Sequence, residues 1–234
     1  MKKVFVVLAV LTTLCGLSFA QTSFDSELSG LRKNIISMCA QLQAGQPKES
    51  QEQLLKEIDE IIAGWGKITD TYKNTTPSEY SKDPAWKSYF DEALDNFQIM
   101  RQKVEGKDYK RATQFCGLNC ALFVKIHQVN GRTTLADKMF GLRQNVRMAV
   151  SMAKAENWQG AQEILKQCDK QLQDIKKFSK PPTTDETTYQ SDISQVEQSY
   201  NSLKGVIDKR DIQEIDKQLK SFLGNFGKVY LRYI

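Results

Sequence analysis

The segment Leu31-Arg-Lys-Asn-Ile-Ile-Ser-Met38 returns later in the chain as Leu142-Arg-Gln-Asn-Val-Arg-Met-Ala149. The echo continues. Trp86, Phe90, Ala93, Phe97, Met100 and Val104 run parallel to Tyr189, Ile193, Val196, Tyr200, Leu203 and Ile207. Cys116, Cys120, Phe123 and His127 then fall opposite Leu219, Leu223, Phe226 and Tyr230. A repeat of this extent means one structural unit used twice, and it constrains the fold before any local propensity does. Two homologous domains are expected, residues 24–131 and 134–234, each of a usual size for a single core.

Within each unit the apolar residues recur at helical spacing. Leu28, Leu31, Ile35, Met38 and Leu42 step by three and four, which places one stripe on a first helix. Leu54, Leu55, Ile58, Ile61 and Ile62 do the same on a second. Asn74-Thr-Thr-Pro-Ser-Glu-Tyr-Ser-Lys-Asp-Pro84 and Ser179-Lys-Pro-Pro-Thr-Thr184 break the pattern with the prolines and hydroxyls of loops. A third helix is predicted over Trp86–Val104 and a fourth from Asp108. Asp108-Tyr109, Asn157-Trp158 and Asp211-Ile212 share one start signal. The Asx side chain accepts from free first-turn N–H groups, worth about 1 kcal/mol. Short links around Gly106 and Asn130-Gly131 make neighbouring helices antiparallel. The expected fold is all-α, two antiparallel four-helix bundles in tandem. Trp65, between Gly64 and Gly66, is read as a buried aromatic, with a kinked, exposed helix end as the alternative.

The first twenty residues carry the marks of an export signal. Lys2 and Lys3 precede an apolar run from Val4 to Leu14, and Ser18-Phe19-Ala20 offers a small-x-small cleavage site before Gln21. The run is too short to span a bilayer. Leu14 before Cys15 does not suit a lipoprotein signal, so Gln21 is the expected mature N-terminus and the chain is expected in a periplasm or outside the cell. Loss of that segment removes two lysines and no acid, leaving 31 basic against 28 acidic side chains, with the signs interleaved. Interleaving describes a solvated helical surface and excludes the clustered basic stripe of a nucleic-acid protein. No later segment is apolar enough to enter a membrane.

Four cysteines and one histidine remain after residue 20. Cys116, Cys120, Phe123 and His127 are spaced by four, three and four, so they share one helical stripe. The plainest reading is core, because the other repeat places Leu219, Leu223, Phe226 and Tyr230 there, and Cys168 falls opposite Ile58 as a buried free thiol. A bridge from Cys39 to Cys120 across the first and fourth helices is a second reading. A metal held by Cys116, Cys120 and Cys39 is a third, with His127 too far along the helix to join it. No Ser-His-Asp spacing, Gly-rich phosphate loop, His-Glu-x-x-His or calcium loop is present, so no enzyme is expected.

The chain resembles the periplasmic four-helix cytochromes, the small soluble cytochrome b and its relative cytochrome c-prime. Asn34-Ile35 with Met38 and Leu42 looks like the first helix of that family, and Trp86 with Phe90 like the aromatic pair of its third. Glu105-Gly106-Lys107 and Tyr109-Lys-Arg-Ala112, leading to His127, resemble its last helix. The resemblance implies a haem ligated by His127, in a pocket built from Ile35, Met38, Trp86, Phe90 and Phe123. The sequence departs from that pattern at the sites that matter. Ile35 stands where the family's axial methionine belongs, with Met38 a turn away. Phe123 and Ile126 replace the cysteines of Cys-x-x-Cys-His, and Tyr230 replaces the histidine in the second half. The expectation is an exported, non-enzymatic module that has lost its haem and binds a periplasmic protein or small molecule. The alternative is one non-covalent haem b on His127 for gas binding or electron transfer, and a periplasmic metal-binding protein is the third class.

Overall fold

A computed structural model describes residues 23–43, 50–181 and 184–234. The export signal, Cys15 and Gln21 therefore lie outside the described residues, as do Pro182 and Thr183 of the second predicted loop. The described residues form eight α-helices and no strand. They are α1 (Phe24–Gln43), α2 (Gln51–Tyr72), α3 (Trp86–Glu105), α4 (Tyr109–Val129), α5 (Leu135–Lys154), α6 (Trp158–Lys176), α7 (Glu186–Asp208) and α8 (Ile212–Arg232). None is long and apolar enough to cross a membrane. Helices α1 and α5 have 20 residues each and α4 and α8 have 21 each, whereas α2 and α6 have 22 and 19, and α3 and α7 have 20 and 23.

Helix starts follow the Asx signal. Asp108 accepts from the Arg111 amide at 3.1 Å, Asn157 from Gly160 at 2.9 Å and Asp211 from Glu214 at 3.3 Å. Each of these caps follows directly on a left-handed residue, Lys107, Glu156 or Arg210, with φ of 57°, 57° and 58°. The left-handed residue's amide and the next one close back on the ending helix: Lys107 donates to Val104 and Asp108 to Lys103, and the other two links repeat the pattern. One helix thus ends and its neighbour begins within three residues, which forces the chain to reverse.

The consequence is a regular set of neighbours. Helix α1 packs on α2 and α4, and α3 packs on α2 and α4; α5 packs on α6 and α8, and α7 on α6 and α8. Their directions alternate. Gln51 at the start of α2 donates to the Val104 carbonyl near the end of α3 at 3.0 Å, while Tyr72 at the end of α2 donates to Glu27 at the start of α1 at 2.9 Å. The apolar stripes are buried: Leu28, Ile35, Ile58, Phe97 and Met100 of α1–α3 and Val146, Leu165, Val196 and Phe222 of α5–α8 are all essentially inaccessible. Each large side chain so buried contributes about 1.5–3 kcal/mol. Helix α2 runs unbroken through Gly64-Trp65-Gly66, and Trp65 is buried. Its ring stacks on Phe90 at 5.3 Å and its indole N–H donates to the Phe90 carbonyl at 3.0 Å. A Cβ on Gly64 would meet Leu31 at 3.0 Å, so glycine lets α1 approach α2. The predicted loop before α3 holds a short 3-10 turn, Ser78–Tyr80, whose Tyr80 ring caps the interior against Phe24 and Trp86.

Candidate functional site

Polar side chains are buried where α1 and α4 meet α5 and α8. Thr134 and Asp137 form a capping box at the start of α5: the Asp137 amide donates to Thr134 Oγ1 at 3.2 Å, and the Thr134 amide donates to Asp137 Oδ2 at 2.9 Å. That fixes Asp137 facing the first half. Its Oδ1 accepts from Arg32 Nη1 of α1 at 2.7 Å, and its Oδ2 lies 2.7 Å from His127 Nδ1 of α4. Arg32 Nη2 donates to the Tyr230 hydroxyl of α8 at 2.9 Å. Arg32, Asp137, His127 and Tyr230 are 2, 0, 5 and 1% exposed, so four helices share one buried polar hub. Burial alone would raise the Asp137 carboxyl. The His127 hydrogen bond, the Arg32 charge and the Thr134 amide outweigh it and hold the group below its ordinary value. An ionised carboxylate only accepts, so His127 Nδ1 carries the proton. The other ring nitrogen, Nε2, is buried without a protein hydrogen-bond partner and lies 3.8 Å from Asp25. Asp25 is itself held by Tyr80 and by Arg132, across the α4–α5 link.

The residues that the resemblance would place around a haem are not gathered about this histidine. Ile35, Met38, Trp86, Phe90 and Phe123 are all buried, but they are packed into the first interior. Trp65 fills the space beside Phe90 and Phe123, at 5.3 and 5.6 Å between ring centroids. His127 instead turns toward α5, into a cavity of about 300 Å³ bounded by Asp25, Ser29, Arg32, Thr134 and Tyr233. Its Nε2 faces that cavity, beside Asp25, and not the space between Ile35 and Phe123.

The cysteines require a correction. The bridge joins Cys39 to Cys116, with Cα atoms 5.8 Å apart, and not to Cys120, which is a buried free thiol. Antiparallel α1 and α4 are offset by one helical turn from the expected register. Cys116 therefore meets Cys39, while Cys120 lies within reach of Arg32 and Arg143. Burial pushes the Cys120 thiol up, and those two cations only partly oppose it. With two of the three sulfurs joined, Cys39, Cys116 and Cys120 do not offer three thiolates to a metal, and no cluster of three or more ligating side chains occurs among the described residues. Cys168 is a buried free thiol, as expected.

The same helices enclose a cleft of about 290 Å³ beside the hub. Helix α1 contributes Ile36, Ser37 and Ala40, α4 contributes Thr113, Gly117 and Cys120, α5 contributes Arg143, Gln144 and Arg147, and α8 contributes Leu223, Phe226, Gly227, Tyr230 and Leu231. The disulfide lies in its wall. The guanidinium of Arg143 sits 5.7 Å from the Tyr230 ring and 5.4 Å from Phe140. Burial, and then the neighbouring charge of Arg143, push Arg147 below the ordinary arginine value. A larger depression, about 980 Å³ along Ser50–Ala63, is bounded by residues of one helix and its cap and gathers no such set.

The sequence reading passed over Arg32, Asp137, Arg143 and Arg147. The signal for the first and third was in hand, since Leu-Arg-x-Asn is the part of the repeat that keeps an arginine in both halves. Thr134-x-x-Asp137 has the spacing of a capping box, which the sequence reading did not pick out, and nothing local says that its carboxylate also reaches Arg32. Comparison of the chain with protein-family profiles, with characterised proteins and with solved structures finds no match.

Proposed function

We propose that the chain is an exported, non-enzymatic protein of two tandem four-helix bundles, residues 24–131 and 134–234, that works as a binding module. Its architecture is that of the four-helix cytochromes, its haem chemistry is lost, and its ligand seat is the cleft between the bundles. One observation carries the reading. The bundle interiors are filled by side chains, whereas the cleft formed by α1, α4, α5 and α8 is a space where apolar walls and two arginines come together. The closed neighbour sets of α1–α4 and α5–α8 support the two-bundle architecture.

The test uses two glycines that line the cleft. A Cβ at Gly117 or Gly227 meets nothing within 4 Å, so Gly117→Leu with Gly227→Leu fills the cleft at no steric cost to either helix. A neutral, environment-sensitive naphthylamine dye is expected to brighten with the native protein and not with the filled variant. Equal brightening with both places binding elsewhere and removes the cleft from the proposal.

A second reading is one non-covalent haem b on His127. The observation in its favour is a ring whose Nδ1 is held by a carboxylate while Nε2 has no protein hydrogen bond, the usual posture of a metal-ligating histidine. Titrating hemin against native protein and His127→Ala decides it. One-to-one binding abolished by the alanine would promote this reading.

A further inference from the structure

Four buried side-chain nitrogens lack a hydrogen-bond partner among the described residues: Arg32 Nε, Asn119 Nδ2, His127 Nε2 and Arg143 Nε. Buried polar groups are nearly always paired, so each of these asks for a reason. Two of the four belong to residues that line one space, the cavity of about 300 Å³ where α1 and α4 meet α5 and the end of α8. They are opposite in sense. Arg32 spends Nη1 on Asp137 and Nη2 on Tyr230, which leaves its Nε–H a donor without an acceptor. His127 spends its Nδ1–H on Asp137, and in the neutral ring Nε2 is then an acceptor without a donor. Asp25, at 3.8 Å, lies beyond hydrogen-bond range of it and when ionised has no proton to give.

The charges around this cavity are already matched, Arg32 with Asp137 and Asp25 with Arg132. An ion entering it would give up its water and find no unpaired counter-charge on the lining residues. Leu28, Ala136 and Tyr233 supply apolar wall, and Ser29 and Thr134 add hydroxyls. We propose that the cavity is a second binding site, independent of the cleft, for a small neutral molecule whose polar end both donates and accepts, a hydroxyl or a carboxamide on a short apolar body. The ligand's donor bonds His127 Nε2, its acceptor receives Arg32 Nε–H, and its body lies against Leu28 and Ala136. A hydroxyl carries both functions on one oxygen and a carboxamide carries them on neighbouring atoms, so either completes both nitrogens in one step. A carboxylate has no proton for Nε2, and an ammonium offers nothing to Arg32 Nε. The volume is at the lower edge of small-molecule pockets, which limits the body to a few carbons.

His127 is the one histidine of the chain, so its ring nitrogens report on this site alone. Heteronuclear NMR of that ring in the purified protein at pH 8 is followed while butanol, butyramide, butyrate or butylammonium is added. Butanol, butyramide or both should move the Nε2 resonance upfield to saturation, as accepting a hydrogen bond does, and leave Nδ1 in place. The stronger of the two identifies the polar end. Butyrate and butylammonium should bind more weakly by about tenfold or more. Affinities of variants are read by saturation-transfer difference spectra, with far-UV circular dichroism to confirm the helices. His127→Asn, whose amide can keep the bond to Asp137 while Nε2 is lost, should weaken binding by about tenfold. Ser29→Leu should abolish it by filling the cavity, and Gly117→Leu with Gly227→Leu, which closes the cleft instead, should leave it unchanged. A stationary Nε2 resonance with both neutral probes means that the cavity takes water only, and overturns the proposal. So does a charged probe that binds as tightly as the neutral ones, or an affinity indifferent to His127→Asn. Binding lost in the glycine variant and kept in Ser29→Leu also overturns it, while leaving the cleft as the binding seat.

Discussion

Replacing Asp137 with alanine tests the hub at its centre. The substitution removes the acceptor of Arg32, of His127 and of the Thr134 amide in one step. Arg32 is 2% exposed and becomes a buried charge whose remaining side-chain hydrogen bond is to the Tyr230 hydroxyl. Breaking a buried pair this way costs about 3–5 kcal/mol, and loss of the capping carboxylate adds about 1 kcal/mol. The expected total is about 4–6 kcal/mol, or a fall of about 10–20 °C in Tm for a chain of this size. Urea unfolding followed by far-UV circular dichroism at pH 7 reads it. Arg32→Met with Asp137→Ala should cost less than the sum of the two single changes by about 2 kcal/mol, because the stranded charge is then gone. The effect of Asp137 is also tied to pH. Its folded carboxyl lies below the ordinary value of 3.8, so its stabilisation is complete above that value and is lost as pH falls through the folded one. The gap between native protein and Asp137→Asn should therefore close in acid. A cost under about 1 kcal/mol at pH 7, where breaking a buried pair should cost several times that, or a gap that persists unchanged in acid, would falsify the account of the hub.

The disulfide closes a segment with a sequence separation of 77, so Cys39→Ser should cost about 4.5 kcal/mol by chain entropy. Non-reducing peptide mapping should recover Cys39 joined to Cys116, and recovery of Cys39 with Cys120 would refute the register of α1 on α4. Burial, with the adjacent Asp169 charge, pushes Cys168 up to about 12, and burial also raises Cys120. Neither thiol should react with an alkylating reagent at pH 8 until urea is added, and prompt labelling of the native protein would contradict this. Lys107→Gly and Arg210→Gly remove a left-handed side-chain penalty, and each should gain up to about 1 kcal/mol in the same urea assay. A loss at either site would show that its φ is not the cost.

Helix number, neighbour directions and most caps were legible because they follow from local chemistry. The spacing of Leu28, Leu31 and Ile35 fixes a face, and Asp108, Asn157 and Asp211 each satisfy an amide three residues away. What could not be read is the alignment of one helix against another. Cys116 and Cys120 lie on the same stripe, and the sequence does not say which of two successive turns meets Cys39. His127 illustrates the same limit. Its position on the stripe allowed either the first interior or the second half as its neighbour, and the choice was made by Asp137, a residue on another helix whose local role is a cap. A charged residue beside an apolar stripe is usually at the surface, and Arg32 is not. It is buried because α5 and α8 cover that flank of α1.

The proposed duplication explains why the hub and the cleft lie side by side. Arg32 and Arg143 occupy equivalent positions of α1 and α5, and His127 and Tyr230 equivalent positions of α4 and α8. Two copies of one bundle meeting by the same face would make each such contact twice, arginine of one copy to the α4-type residue of the other. One contact of that pair exists, Arg32 to Tyr230. Its counterpart, Arg143 to His127, does not, because Asp137 holds His127 from its own side of the joint. The residue matching Asp137 in the first half is Ser26, which carries no charge to neutralise a cation. A single acidic residue on one side is therefore enough to break the symmetry. It draws Arg32 and His127 into a closed, neutralised hub, and it leaves Arg143 on the other flank of Tyr230 without a carboxylate. The closed hub and the want of a carboxylate at Arg143 then have the same origin. Asp137→Ser, which makes the two positions chemically more alike, should weaken the joint and free His127 together, and urea unfolding should read the loss as a lower unfolding free energy.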